Sequence, residues 1–221
     1  AAYIHDLRWQ MYEEEIGTGS WRTLQYEKKK GNLYPTHGLG PVSQYMNLLR
    51  TEDTFKTLIS FSSPALGREI FARENFKENH KWNKLNYQNG DINTTVIKTY
   101  LGRTIMVQWD ETSPRPYTRL NLIQGTKGIL AGGPTRAAFD NGFEGYTKDA
   151  EEWIIGKGID ALYEKYDHPM YKRLHKITQD SGHGGMDGMM VYRIIECLRN
   201  GEPLDQNVYE GCAWSSLIEL T

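Results

Sequence analysis

The middle of the chain contains a succession of strand-like segments with no helical pattern between them. These segments span residues 94–101, 104–109, 119–124 and 128–131, and alternating, often β-branched residues mark them. Gly102-Arg103 supplies the turn after the first segment. Parallel strands need long crossover connections, usually helices. Consecutive strands without such helices therefore predict an antiparallel sheet rather than a doubly wound parallel one.

Helical patterns fill most of the remaining sequence, beside three more strand patterns near the start. Strands are predicted at 3–9, 21–26 and 55–62, and helices at 41–50, 64–75, 147–156, 169–178, 184–199 and 205–220. Pro41 suits a first helical turn, and Asn200-Gly201 suits a helix end. No linker or repeat interrupts these elements. We therefore predict a single α+β domain over residues 1–221, with an open, mostly antiparallel sheet and helices on one face.

Composition excludes two classes of partner. The 221 residues are 38% hydrophobic and 24% charged, with a formal net charge of -2. Basic residues are scattered apart from Lys28-Lys29-Lys30, so no nucleic-acid surface is predicted. No apolar stretch approaches the ~18 residues of a membrane span. The opening AAYIHDLRW has no initiator Met and no leader, and we interpret Ala1 as a cut point.

The sequence lacks the usual motifs for a nucleotide or a metal. No G-x-G-x-x-G follows a strand pattern and no P-loop occurs, so no nucleotide-binding half is predicted in this chain. A metal site built from His5, His37, His183 and Asp187 can be imagined. However, no H-E-x-x-H and no paired Cys/His motif accompanies them, and no metal is predicted.

Aromatic residues are unusually frequent, with 14 Tyr and 6 Trp. Aromatic faces stack on the C–H surfaces of sugars, and tyrosine hydroxyls bond to polar ligands, which fits a carbohydrate site. Large side chains that fill a sheet-rich core explain the same composition. Both interpretations stay open on composition alone.

The first residues place a phenol and an imidazole two positions apart. On a strand, Tyr3 and His5 point to the same face. Such a pair can pass protons, and a neighbouring cation is expected to lower the pKa of the phenol. An edge strand with polar residues towards solvent is the alternative.

The segment NLYPTHGLGP, residues 32–41, holds a second phenol and imidazole rigidly. Pro35 keeps Tyr34 extended, and two glycines permit close backbone approach or unusual dihedral angles. His37 precedes a predicted helix start, whose positive end favours a neutral ring that can accept a proton. A structural turn is the alternative, but rigid residues around two proton-transfer groups favour a functional site.

Two further segments present polar side chains. In SPRPY, residues 113–117, two prolines hold the chain extended, either to present Arg115 or Tyr117 to a ligand or as a stiff connection. In GHGGMD, residues 182–187, glycines expose N–H groups at a helix start. His183 and Asp187 lie one turn apart there.

Taken together, these segments resemble glycoside hydrolase family 109. The matching stretches are Trp21-Arg22, GNLYPTHGLGPVSQY, SPRPY, QGTKG, YDHP, GHGGMD and VYEGCAWSSLI. Family members are NAD-dependent α-N-acetylgalactosaminidases of the glucose-fructose oxidoreductase and inositol dehydrogenase superfamily. The resemblance runs from Tyr3 to about Ile218, which is almost the whole chain.

The resemblance implies an architecture of which this chain is one part. Family members have an N-terminal Rossmann domain that holds NAD, followed by a C-terminal α+β domain with an open antiparallel sheet. This chain resembles the second domain, so NAD is expected to bind mainly to a Rossmann domain outside it, and the chain alone is expected to be inactive. The implied partners are that domain, a carbohydrate and a second copy packed through the open sheet. Export from a bacterium is the implied location.

The resemblance also implies a redox route to hydrolysis. The sugar is oxidised at C3 by NAD+, which acidifies the C2 proton; a base removes it, the aglycone leaves, water adds, and C3 is reduced again. Ordinary glycosidases instead use two carboxylates. On matching positions, Tyr3 is the implied base at C2. His37 and Tyr34 are implied to assist hydride transfer at the C3 hydroxyl.

Five further residues receive roles from the resemblance. Arg22 and Tyr117 are implied to hold sugar hydroxyls or the acetamido group, and His5 to orient its neighbours. His183 and Asp187 are implied to close the site beside the cofactor.

Two other functions stay open. A sugar dehydrogenase or oxidoreductase of the same superfamily would accumulate NADH. A non-catalytic carbohydrate-binding or oligomerisation module would need no proton-transfer groups. The presence of Tyr3, Arg22, Tyr34, His37 and Tyr117 together favours an enzyme.

Overall fold

A four-stranded sheet forms the centre of the first of two units into which the chain divides. The computed structural model describes residues 1–13, 21–50 and 53–221, and the first unit comprises Ala1–Ile123, Ala131–Gly133 and Glu210–Thr221. Its strands are β1 (Ala2–Ile4), β2 (Phe55–Ser62), β3 (Ile92–Thr99) and β4 (Thr104–Asp110), in the order β1-β4-β3-β2. β2, β3 and β4 pair antiparallel, whereas β1 runs parallel to β4. The predicted open, mostly antiparallel sheet is confirmed.

Alternating burial along the central strands gives this sheet one covered face and one open face. Ile97, Ile105 and Val107 are almost fully buried, while Val96 and Met106 on the opposite face are 42% and 60% exposed. Gly102 turns the chain between β3 and β4 with a φ of +84°, a conformation that favours glycine. The period of two in the sequence therefore directs one set of side chains into the core.

Helices cover the buried face of the sheet, as predicted. The helices of this unit are α1 (Trp21–Lys28), α2 (Thr36–Tyr45), α3 (Gly67–Asn75), most of α7 (Val208–Ser215) and α8 (Leu217–Leu220). Leu39 of α2 packs with Trp214, Leu217 and Ile105 in one core. Gly38 lets α2 approach the sheet closely, because a Cβ there would lie 3.2 Å from Val107 Cγ1.

A smaller core in the same unit joins α3 to two 3-10 helices, Arg8–Tyr12 and Lys81–Lys84. Met11, Ala72 and Trp82 are buried together in it. Trp82 Nε1 donates a hydrogen bond of 2.7 Å to the Met11 carbonyl oxygen. This core therefore anchors the segment that follows β1.

The second unit comprises Gln124–Leu130 and Pro134–Tyr209. Its elements are most of β6 (Gly128–Ala131), β7 (Arg136–Phe139), α4 (Lys157–Tyr166), α5 (Pro169–Thr178) and α6 (Met186–Asn200), and β5 (Leu122–Gln124) lies where the chain enters it. Ala137, Ile154, Ile159 and Leu162 form its core. Gly201, with a φ of +67°, ends α6 as the sequence predicts. The single domain over residues 1–221 stays a prediction.

Three predictions of individual elements are wrong, in addition to the helix start predicted at Pro41, which is corrected below. Residues 21–26 are helical rather than extended, since Thr23 and Tyr26 are buried at the spacing of a helix face. Residues 147–156 contain isolated bridges rather than a helix, and α4 begins only at Lys157. The strand predicted at 3–9 ends at Ile4, and a 3-10 helix follows. The hydrophobic pattern of a segment this short suits either a helix or a strand, and the secondary structure depends on which side chains become buried in the fold.

No helix in the described ranges combines the length and the apolar character needed to span a membrane. Cys197 is buried and Cys212 is exposed, and both are free thiols.

Candidate active site

Strand β1 places two predicted residues on one side of the first unit. Along one edge of β1, Tyr3 is in register with Trp109 of β4. Along the other edge of β1, Ile4 exchanges backbone hydrogen bonds of 3.0 and 3.1 Å with Thr118. Ile4 is fully buried, so its neighbours Tyr3 and His5 point the opposite way. Their ring centroids lie 6.1 Å apart.

The turn into α2 adds a second phenol and a second imidazole. The Tyr34 backbone N–H donates a hydrogen bond of 2.9 Å to Asn32 Oδ1, which shapes the approach to Pro35. The Tyr34 and His37 ring centroids lie 4.3 Å apart, and each is 4.9 Å from the Tyr3 ring. Two distant sequence segments thus bring three proton-transfer groups together.

Pro41 lies inside α2, which corrects the predicted helix start at residue 41. The helix begins at Thr36 because Pro35 already has helical backbone angles, with φ of -73° and ψ of -24°. A proline inside a helix offers no N–H to the carbonyl four residues earlier, here that of His37. Arg119 Nη1 donates to this carbonyl oxygen at 3.0 Å. Arg119 therefore steadies the turn that carries the His37 ring.

The SPRPY segment brings Tyr117 to the same place. The Tyr117 ring centroid lies 5.3 Å from that of His5 and 6.1 Å from that of Tyr3. The Arg119 guanidinium carbon lies 5.7 and 5.6 Å from the Tyr3 and Tyr117 ring centroids, and its Nε donates to the Tyr117 hydroxyl. Tyr117 is 51% exposed, so its ring is open to a ligand.

Arg22 borders these rings from the first turn of α1. Its guanidinium carbon lies 4.6 Å from the Trp21 ring centroid and 5.8 Å from that of Tyr34. Its Nη1 donates to Gln10 Oε1 at 3.1 Å, and its Nε lies 3.4 Å from Glu111 Oε2, an ion-pair distance. These contacts hold the cation beside Tyr34.

Six of the predicted site residues thus form one group in the first unit, here called the aromatic cluster. Its members are Tyr3, His5, Arg22, Tyr34, His37 and Tyr117. Phenols and imidazoles can donate and accept protons, and the arginine can bind hydroxyl or carbonyl oxygens. The arrangement is therefore equipped for acid–base chemistry on a polar ligand.

The other two predicted residues, His183 and Asp187, lie in the second unit at the start of α6. His183 Nδ1 lies 3.0 Å from both carboxylate oxygens of Asp187, and both side chains are exposed. His183 has a φ of 54°, and Gly184 and Gly185 also have positive φ. Their role as cofactor contacts stays a prediction. Within the described residues, no three His, Cys, Asp or Glu side chains group as a metal site would require.

Burial governs the protonation of the cluster. It raises the pKa of Tyr3 to about 12, and the nearby charge of Glu111 adds to this effect. Arg22 acts in the opposite direction but is outweighed, so the expectation that a cation lowers the phenol's pKa is wrong here. Burial also lowers the pKa of His5, which is therefore neutral at neutral pH. His5 Nδ1 is buried and has no hydrogen-bond partner in the described part of the chain.

Sequence reasoning missed three residues that contact members of the cluster: Gln10, Glu111 and Arg119. No motif marks them, because each acts through a contact with a distant segment. A weak signal exists for Arg119, since a proline inside α2 predicts that the His37 carbonyl needs another donor. For Glu111 the only hint is a carboxylate directly after the apolar strand β4.

The second unit has its own cleft of about 650 Å³. Leu130, Phe139, Phe143, Ile159 and Tyr163 are among its mostly apolar lining residues. None of the eight predicted site residues lines it. Its chemistry therefore differs from that of the aromatic cluster.

Comparison with known proteins accounts for the whole chain. Residues 1–221 match the family described as "Glycosyl hydrolase 109, C-terminal domain". The chain is 61% identical over its full length to glycosyl hydrolase family 109 protein 1 of Akkermansia muciniphila, and 57% identical over 97% of its length to a glycosyl hydrolase family 109 protein of Shewanella baltica. It covers 46% of each, so it spans about half the length of the curated relatives it matches. The chain belongs to glycosyl hydrolase family 109 and corresponds to the C-terminal domain of that family.

Proposed function

We propose that this chain supplies the sugar-binding and proton-transfer wall of an NAD-dependent α-N-acetylgalactosaminidase. The observation that carries the proposal is the convergence of Tyr3, Tyr34 and His37, whose ring centroids lie 4.3 to 4.9 Å apart. Phenols and an imidazole at this spacing can exchange protons with one bound sugar. Membership of a glycoside hydrolase family supports hydrolysis as the reaction class.

Tyr3 acts at sugar C2, where it accepts the C–H proton. Because its phenol keeps its own proton at neutral pH, Tyr3 must release that proton as it takes another. We assign this second acceptance to His5, whose imidazole is neutral and whose Nδ1 is without a hydrogen bond in the described ranges. Tyr34 and His37 hold and move the C3 hydroxyl proton.

Arg22 and Tyr117 bind the other polar groups of the sugar. The Arg22 side chain is only 15% exposed and its guanidinium stacks on Trp21, so its orientation is restricted before the sugar arrives. Such preorganisation favours binding, because less side-chain freedom is lost. Tyr117 offers both an exposed ring face and a hydroxyl, the combination suited to a sugar.

The proton-carrying side chains of the cluster fit a reaction in which NAD is the cofactor. When bound, NAD supplies the reversible oxidation at C3 on which release of the C2 proton depends. The cluster offers phenols and imidazoles to carry protons, where ordinary glycosidases use two carboxylates. From this chain, His183 and Asp187 would contact the cofactor through their exposed hydrogen-bonding groups. Most of its binding surface is proposed to belong to a Rossmann domain outside this chain.

A sugar oxidoreductase is the second candidate, and the raised pKa of Tyr3 favours it. A phenol that is protonated at neutral pH suits a hydrogen bond to a hydroxyl better than proton abstraction from carbon. The two candidates differ in their products. An oxidoreductase accumulates NADH, whereas the proposed glycosidase restores NAD+ in each turnover.

The experiment compares this chain with the product of its complete gene, on p-nitrophenyl α-N-acetylgalactosaminide with added NAD+. We expect the complete protein, and not this chain, to release p-nitrophenol without net NADH. Stoichiometric NADH would support the oxidoreductase instead. If the complete protein forms neither product, both enzymatic proposals are contradicted.

We also propose that the open face of the sheet packs against a second copy of the chain. Ile59, Val96 and Met106 lie opposite one another across β2, β3 and β4, and they are 42% to 62% exposed. Phe61, 70% exposed, extends this apolar row. In the complete protein, Val96→Glu is expected to give monomers by light scattering, whereas the matched Val96→Ile should not. The same mass for both variants would contradict the proposed interface.

A further inference from the structure

A buried carboxylate beside the aromatic cluster has no role in the proposed function. Glu111 directly follows β4, and its side chain is only 1% exposed. Neither of its carboxylate oxygens accepts a hydrogen bond of good geometry within the described ranges, and burial raises the pKa of Glu111 although Arg22, Arg68 and Trp109 act in the opposite direction. Burying a carboxylate without hydrogen bonds is unfavourable, so its presence requires an explanation.

Arg22 is the cluster residue that faces this carboxylate. Its Nε lies 3.4 Å from Glu111 Oε2, and both side chains are shielded from water. Arg22 also stacks on Trp21 and donates to Gln10, but those partners are uncharged. A shielded charge pair orients a guanidinium more strongly than neutral contacts do.

Arg68 also acts electrostatically on Glu111, but its hydrogen bond and its ring contact are made to other residues. It is 1% exposed, its Nη1 donates to Thr23 Oγ1 at 3.1 Å, and its guanidinium carbon lies 4.1 Å from the Tyr26 ring centroid. Both of these partners belong to α1 and not to the cluster. Among the arginines that act on Glu111, Arg22 is therefore the one that links it to the cluster.

We propose that Glu111 is a positioning residue that holds the Arg22 guanidinium at the aromatic cluster and so sets the affinity for the sugar. The inference rests on the proposed sugar-binding role of Arg22. A second effect follows from the same geometry. Since the charge of Glu111 helps to raise the pKa of Tyr3, its removal must lower that pKa.

The first test needs no sugar. In the complete protein, Glu111→Gln is expected to let the Arg22 Nε–H exchange with solvent about tenfold faster than in the parent protein, as followed by NMR. Tyr3 should also titrate at lower pH. Glu111→Asp keeps the charge but withdraws it from Arg22, so it should speed the exchange as well. Faster Arg22 exchange together with a lower pKa of Tyr3 would support the inference. If neither changes, the inference is overturned.

Glu210→Gln is the matched control. Glu210 is likewise 1% exposed and accepts hydrogen bonds of 2.7 and 2.6 Å from Arg50, which is not a cluster residue. Loss of that buried pair should change neither the Arg22 exchange nor the Tyr3 titration. If the control matches Glu111→Gln in both, the effect is general destabilisation and the inference is overturned.

The second test measures binding of N-acetylgalactosamine to the complete protein by calorimetry. Glu111→Gln should weaken binding about tenfold when Arg22 is present, and less than about twofold in an Arg22→Gln background. Equal losses in both backgrounds would overturn the inference. If the parent neither binds nor hydrolyses the sugar, the proposed function fails, and the exchange and titration then decide on Glu111 independently.

Discussion

Replacing Tyr3 with phenylalanine in the complete protein is expected to abolish exchange of the sugar C2 proton with solvent and to lower turnover about 10²- to 10⁴-fold. The substitution removes one oxygen and keeps the ring that packs 4.9 Å from both Tyr34 and His37. The proton carrier is therefore lost while the packing of the cluster is retained. Deuterium incorporation at C2 in D2O with NAD+, followed by NMR, measures the exchange directly.

Tyr45→Phe is the control for this prediction. Tyr45 is the last residue of α2, whereas the cluster residue His37 lies in the first turn of that helix, so loss of the Tyr45 hydroxyl should leave exchange unchanged. Normal C2 exchange in Tyr3→Phe would remove Tyr3 as the base. That outcome carries weight because a phenol with a pKa of about 12 must pass its proton on before it can act.

His37→Ala in the complete protein is expected to lower turnover about 10²- to 10⁴-fold, with a much smaller effect on sugar affinity. The imidazole is proposed to move the C3 hydroxyl proton, whereas Arg22 and Tyr117 are proposed to bind the sugar. Arg119 donates to the His37 backbone carbonyl, so the turn should keep its shape without the side chain. Steady-state kinetics together with calorimetry of sugar binding separate the two effects.

His80→Ala provides a control from the same unit. The His80 ring stacks on Phe76 at 4.5 Å, in the smaller core rather than in the cluster, and its loss should affect stability more than turnover. A His37→Ala protein with near-normal turnover would exclude His37 from catalysis. A parallel loss of affinity and turnover would make it a binding residue instead.

The sheet and several helices could be predicted because their signals are local. β2, β3, β4, α5 and α6 lie close to their predicted ranges, since hydrophobic period and stop signals act within a few residues. Residues 21–26 and 147–156 were mispredicted because short polar and apolar mixtures suit more than one structure. Their conformation depends on which core each segment meets.

The residues of the cluster could be predicted from local motifs, whereas their contacts could not. YPTHGLGP and SPRPY identified candidate side chains, but nothing in either motif indicates that Tyr117 meets Tyr3 or that Arg119 reaches the His37 carbonyl. β1 creates these contacts by lying between β4 and Thr118, and its parallel pairing with β4 has no local sequence signal. Gln10 and Glu111 were missed for the same reason.

Residue chemistry and backbone constraints followed from the sequence alone: the supply of phenols and imidazoles, the rigid turn at Pro35, the glycine end of α6 and the alternation of the sheet. The tertiary structure decided which of these groups meet and how they are protonated. Burial and Glu111 raise the pKa of Tyr3, although the sequence suggested a cation that would lower it. Local geometry depends on covalent neighbours, whereas desolvation and charge pairing depend on segments that only folding brings together.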